Sequence, residues 1–283
     1  HWIEHTDTTS EEGKFRREIL VQEYQSILNY VLSYYEEFIE QYPNSILINK
    51  ALIGAGGISQ ILKNGKAEDY YQRILRSEIK YSEYERQKYE PQIYIEELKN
   101  YKKYANSGLA RIYQENKEYS KALEYLEAAN NIELNHWCGN AHEAEKYYYD
   151  LRKTEIYLGQ NKLEEAIKMM ISYIFLDEFR YRRRREVVNL VTNPLIQKYG
   201  LEDLKLKYEE ACKNYSKEIV VKDGEEQIEY YIEFLGNKIN VTQNSSTYHS
   251  LVSYGETEAE QFQGIIKNGY FYKVLSRLSE NQE

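Results

Sequence analysis

Between Phe15 and Ile39 the apolar residues Leu20, Tyr24, Ile27, Leu28, Val31, Tyr35 and Phe38 recur at steps of three and four, which sets them on one face of a helix that Pro43 ends. The same spacing returns at Ile48, Ala51, Leu52, Ala55, Ile58 and Leu62, stops at Asn64-Gly65 and resumes at Ala67, Tyr70, Tyr71, Ile74 and Leu75, so this segment reads as a helical hairpin. Pro91 marks the next start, and Leu98, Tyr101, Ala105, Leu109, Ile112 and Tyr113 keep helical spacing up to Asn116, before Ala122, Leu126 and Ala129 define a following helix. A polar connection spans 135–140. Tyr147, Leu151, Thr154 and Leu158 then predict another helix, 159–161 a turn, and Leu163, Ala166, Ile167, Met170 and Ile174 its antiparallel partner. Two more helices are expected over 179–191 and 195–212, separated at Asn193-Pro194.

Beyond Ser216 the period changes from three or four to two. Ile219–Val221, the turn signal Asp223-Gly224, the alternating Ile228, Tyr230, Ile232 and Phe234, the second turn signal Gly236-Asn237 and Ile239–Val241 predict a three-stranded antiparallel meander. So small a sheet is marginal alone and is expected to lean on the helices. Residues 242–246 read as a loop, and 258–275 as a return to helix with a break near Asn268-Gly269.

Composition sharpens this picture in a few places. Only three prolines interrupt the chain, which suits helices. The 46 acidic and 37 basic residues are dispersed, giving a net charge of −9 and no basic surface suited to phosphate, so no nucleic-acid partner is expected. Two cysteines, Cys138 and Cys212, are too few for a disulfide framework and fit a reducing compartment; the reading leans to the cytoplasm, with a signal or anchor ahead of His1 left open. No apolar run reaches the length of a membrane span. Tyrosine is over-represented, 31 against seven phenylalanines, and supplies rings with a polar tip that suit interfaces as well as core edges.

One segment repeats a known pattern. Leu109, Ala110, Tyr113, Tyr119, Ala122, Leu126 and Ala129 have the identities and spacings of the large-small-aromatic-aromatic-small-large-small signature of a tetratricopeptide repeat, which they resemble. A second copy runs through Tyr157, Leu163, Ala166 and Met170, with Lys153, Thr154 and Tyr173 in place of the usual leucine, glycine and alanine; a third, around Ile61, Gly65, Tyr70 and Ile74, is poor. The intervals are 44 and 52 residues instead of 34. The resemblance implies a mainly α fold: a right-handed solenoid of antiparallel helix pairs over 45–215, preceded by an N-terminal helix in 1–44 and followed in 216–283 by the meander and a terminal helix packed on the repeats. It also implies a protein- or peptide-binding scaffold, with Tyr104, Arg111 and Gln114 from the first copy and Tyr148, Arg152 and Glu155 from the second lining the groove. A generic bundle of helical hairpins is the alternative architecture.

Other constellations point less directly to chemistry. His136, Cys138 and His142, with Glu143 beside them, offer nitrogen and sulfur ligands, but no second pair completes a closed zinc site and no metal is expected. Gly54-Ala55-Gly56-Gly57 lacks the preceding strand and following Lys-Ser/Thr of a phosphate loop, and close helix packing explains it better. Arg180 and Arg182–Arg185 cannot share one helical stripe and read as a solvated face paired with Asp177, Glu178 and Glu186. No nucleophile motif is present, so the expectation is a non-enzyme without cofactors. Two other functions compete with the scaffold: a bacterial immunity-type protein that occludes a toxin, and a hydrolase with a site near Tyr230 and His249.

Overall fold

The computed structural model describes residues 10–78, 91–134, 139–175, 185–222, 224–241 and 255–280. These form eleven helices and one three-stranded antiparallel sheet, divided between two compact units, His1–Trp137 and Cys138–Glu283. Among the described residues no helix is long and apolar enough to cross a membrane.

The first unit holds α1 (Glu11–Gln41), α2 (Ile48–Leu62), α3 (Ala67–Arg76), α4 (Pro91–Glu115) and α5 (Tyr119–Asn130). Ser10 opens α1 by accepting the Gly13 amide at 3.0 Å, which satisfies one of the first-turn donors. Helix α2 packs on α1 and α3, both α2 and α3 touch α4, and α4 packs along α5. The contacts are close because small residues meet large rings. A side chain at Gly54 would strike the Tyr35 ring, and Gly56 of α2 and Gly108 of α4 both lie against the ring of Tyr71 from α3. Gly54 and Gly56 therefore serve close packing, as expected in preference to a phosphate loop, while Gly57 of the same run faces open space. Ala110, Ala122 and Ala129 are buried between α4 and α5, with Leu109 and Leu126 filling the layer beside them.

The second unit holds α6 (Gly139–Gly159), α7 (Leu163–Ile174), α8 (Arg185–Tyr199), α9 (Leu201–Lys213), β1 (Ser216–Lys222), β2 (Glu225–Phe234), β3 (Asn237–Asn240), α10 (Glu258–Asn268) and α11 (Tyr270–Glu280). All its helices, together with β2 and β3, contribute to one apolar core. At its centre Phe175 stacks on Tyr208 with ring centroids 4.8 Å apart, Phe234 meets Phe175 edge-on at 5.4 Å, and Phe271 lies 5.8 Å from Tyr208. The meander is three-stranded and antiparallel as expected, with Ile219 opposite Ile228 and Ile232 opposite Ile239. Its inner face continues beyond the helices, so Ile232 and Phe234 are buried while Ile219, Val221 and Ile228 on the same face are exposed. Helix α10 starts with a reciprocal cap in which Glu260 accepts the Thr257 amide at 3.0 Å and the Glu260 amide reaches Thr257 Oγ1 at 3.3 Å.

One boundary differs from the sequence reading. Pro194 does not separate two helices; it lies inside α8, and the break comes at Gly200 with φ of +82°. A proline there forfeits a helical hydrogen bond at about 3 kcal/mol. Burying Val188, Val191 and Leu195 in the core offsets that, at about 1.5–3 kcal/mol for each large side chain. Gly200 is the better stop because it alone enters the left-handed region without a Cβ penalty.

Candidate functional site

Three helical hairpins close with the same backbone turn. In α4–α5 the amide of Glu118 donates to the carbonyl of Tyr113 at 2.8 Å and Lys117 has φ of +62°. In α6–α7 Lys162 donates to Tyr157 at 2.8 Å with Asn161 at +59°, and in α2–α3 Asn64 donates to Ser59 at 3.3 Å with Lys63 at +52°. Each is a helix C-terminus whose left-handed residue lets the sixth residue bond back to the first. The turns align buried Tyr113 with half-buried Tyr157 and, thirteen residues on, Leu126 with Met170, both buried; in the α2–α3 hairpin buried Ser59 takes the tyrosine's place and α3 starts two residues later, so that buried Ile74 corresponds to Leu126. They also explain why the copies differ in quality. Thr154 takes the place of Ala110 and is wholly buried because its hydroxyl returns to the Asp150 carbonyl at 2.7 Å, while the bulky Tyr70 stands where Ala122 and Ala166 stand.

Helix α4 is two-sided. Ala105, Leu109, Ala110 and Tyr113 are buried, while Tyr104 is 57% exposed and Arg111 projects from the same side two turns later, about 10 Å along the axis. Arg111 Nε pairs with Glu115 at 3.0 Å on that surface. Gln114 is half-buried and gives its backbone carbonyl to the turn through the Lys117 amide. Beneath this face the Tyr71 ring is clamped between α2 and α4, and its hydroxyl donates to Gln60 Oε1 of α2 at 3.3 Å. Burial pushes the Tyr71 phenol up, and the Arg111 charge acts in the opposite direction. Tyr71 thus connects Gln60 of α2 with the backbone of α4 at Gly108, a link that spacing along one helix could not reveal. Ile61 of α2 is exposed, and Gly57 has open space where its side chain would be.

The second set belongs to the other unit. Tyr148 is exposed and lies against Tyr147 with centroids 5.6 Å apart. Arg152 Nη1 and Glu155 Oε2 neutralise each other at 2.8 Å, one helical turn apart. His142 is exposed on α6; His136 and Cys138 lie outside the described residues, as do Arg180, Arg182–Arg184 and His249. Among the described residues no group of His, Cys, Asp and Glu is arranged to hold a metal ion.

Tyrosine abundance has a structural use that counting alone left open: hydroxyls from buried or half-buried rings reach carboxylates on neighbouring elements. Tyr70 donates to Glu36 at 2.6 Å, Tyr113 to Glu68 at 2.6 Å, Tyr173 to Asp150 at 2.7 Å and Tyr272 to Glu209 at 2.6 Å. Tyr230 takes part in the same way: with Tyr215 and Lys217 it holds Glu258, tying the sheet to α10. The hydrogen bond from Lys217 does most to hold the Glu258 carboxyl below its ordinary range; burial opposes it, and the two phenols lower it further. A shallow cleft of about 560 Å³ lies elsewhere in this unit, where Lys207, Glu210 and Asn214 of α9 face Glu233 of β2.

The chain matches no protein-family model, no curated protein and no solved structure. Its function has to be argued from its own surfaces.

Proposed function

We propose that residues 48–130 form a binding module of the tetratricopeptide type, a right-handed stack of antiparallel helix pairs, and that its α2/α4 face takes a protein or peptide segment. The observation that carries this reading is the division of α4: one side is packed to completion, while the other holds an aromatic ring and a guanidinium in the open. Tyrosine and arginine supply much of the energy at protein interfaces, the first through rigid area and the second through planar hydrogen bonding. The repeated turn and the small-residue contacts support the repeat assignment. An extended acidic or aromatic peptide fits the chemistry, because Arg111 can exchange Glu115 for a carboxylate on the ligand.

The test is a selection from a displayed random-peptide library on the whole protein, followed by affinity measurement for the enriched peptides. A double Tyr104→Ala, Arg111→Glu variant is expected to weaken binding by at least about tenfold. A double Tyr148→Ala, Arg152→Glu variant reports on the second set. Unchanged affinity in the first variant refutes the α2/α4 site, whatever the second variant does.

A further inference from the structure

Among the described residues, helix α1 buries only one of its two apolar faces. Leu32 and Ile39 are buried on the side that meets α2, and Tyr35 on that side lies against Gly54. At 100° per residue the opposite side carries Phe15, Ile19, Ile27, Tyr30 and Tyr34, all exposed, while exposed Tyr24 and Val31 lie at its margin toward Tyr35. Ile27 is 59% exposed and Tyr30 63%. Residues 14–27 carry no buried side chain. At about 200 Å² for a fully exposed large side chain, the five residues of this stripe present roughly 550 Å² of surface. That is at the upper end of the largest apolar patch on a typical monomer, and about two-thirds of the ~800 Å² that each partner contributes to a standard interface.

The charges on the same face are arranged for one partner. Arg16, paired with exposed Glu12 of its own helix at 2.7 Å, bounds the stripe at its N-terminal end, and Glu37, which accepts from Gln41 at 2.8 Å, bounds it at its C-terminal end, with Ile27 near the midpoint; a partner's carboxylate can replace Glu12 because that surface pair is solvated on both sides. We infer that the stripe is the seat of a second copy of this chain, with the two α1 helices packed antiparallel about a twofold axis near Ile27. In that arrangement Arg16 of each copy lies beside Glu37 of the other, whereas a parallel pair would set Arg16 against Arg16 and Glu37 against Glu37. Leu20, Ile27 and Tyr34 are seven residues apart, the spacing that lets one seam of a helix follow another. Glu23 is the one carboxylate inside the stripe. It faces the phenols of Tyr30 and Tyr34 across the axis, so the pair places it where Tyr70 places Glu36 within the chain. The surface is distinct from the α2/α4 face, and neither reading depends on the other.

Sedimentation equilibrium of the whole protein between about 1 and 100 μM reads the association directly. A dimer is expected, with Ile27→Lys raising its dissociation constant by at least about tenfold while circular dichroism stays unchanged. Arg16→Glu is expected to weaken the dimer, and the double variant Arg16→Glu, Glu37→Arg to restore it. A monomer throughout the range overturns the proposal and leaves the stripe to another occupant, such as a further segment of a longer chain. A dimer indifferent to Ile27→Lys overturns it too, and failure of the charge swap to restore association overturns the antiparallel arrangement.

Discussion

Gly108 offers the sharpest test of how the first unit is held together. It lies well inside α4, where alanine is ordinarily favoured by about 1 kcal/mol. Here a Cβ would stand 2.4 Å from Tyr71 Cε2 and 2.5 Å from Cζ, against the 3.5–4 Å or so of an ordinary carbon contact. The ring cannot simply move aside, because a Cβ at Gly56 on its other edge would already be 2.6 Å from Cε1. Overpacking in such a clamp costs about 3 kcal/mol, at the upper end of the usual range, so Gly108→Ala is expected to destabilise the unit by about 2 kcal/mol after the helix gain. Gly57 is also helical but has nothing within 4 Å of its missing side chain, so Gly57→Ala is expected to stabilise by about 1 kcal/mol. Because two units can open independently, hydrogen exchange of the α2 and α4 amides, read by mass spectrometry, is the proper assay. Adding Tyr71→Ala should abolish the penalty at Gly108 and reveal a coupling of about 3 kcal/mol. Stabilisation by Gly108→Ala alone, or a penalty that persists without the tyrosine ring, would refute the clamp.

Further outcomes follow from groups whose ionisation the fold biases. The Glu258 carboxyl titrates lower in the folded chain than in the unfolded one, so its contribution is present above the ordinary carboxylate range and is lost as pH falls through the folded value; Glu258→Gln should flatten the acid limb of a urea-midpoint profile for the second unit, and an unaltered limb would count against the tie. Tyr272 is pushed up to about 12 by burial and by its bond to Glu209, so the folded chain keeps the phenol neutral and loses that stability between the unfolded value near 10 and about 12; Tyr272→Phe should reduce the alkaline dependence seen by circular dichroism. The left-handed Lys117 is expected to accept glycine with a gain of about 0.5–1 kcal/mol, measurable as a raised unfolding midpoint, since glycine removes the Cβ clash; a loss would mean that the lysine side chain stabilises the turn.

Local signals were sufficient wherever neighbours in sequence decide the energy. The periods of three and four, the stops at Pro43 and Asn64-Gly65 and the change to period two beyond Ser216 placed most helices and the meander, because amphipathic faces and turn residues act within a few positions. The burial of Ala110, Ala122 and Ala129 was legible for the same reason. Pro194 was not, since its local penalty is outweighed by long-range burial of Val191 and Leu195 that no window around it contains. Nor could spacing along one helix show that Tyr71 joins Gln60 to α4 at Gly108, or that the tyrosines pair with carboxylates 23 to 63 residues away. Local pattern was enough to make this chain helical with a small sheet and to mark the apolar face of each helix. Which of those faces are covered and which, as on α1, are left exposed came from packing alone, because burial depends on what the rest of the chain brings alongside.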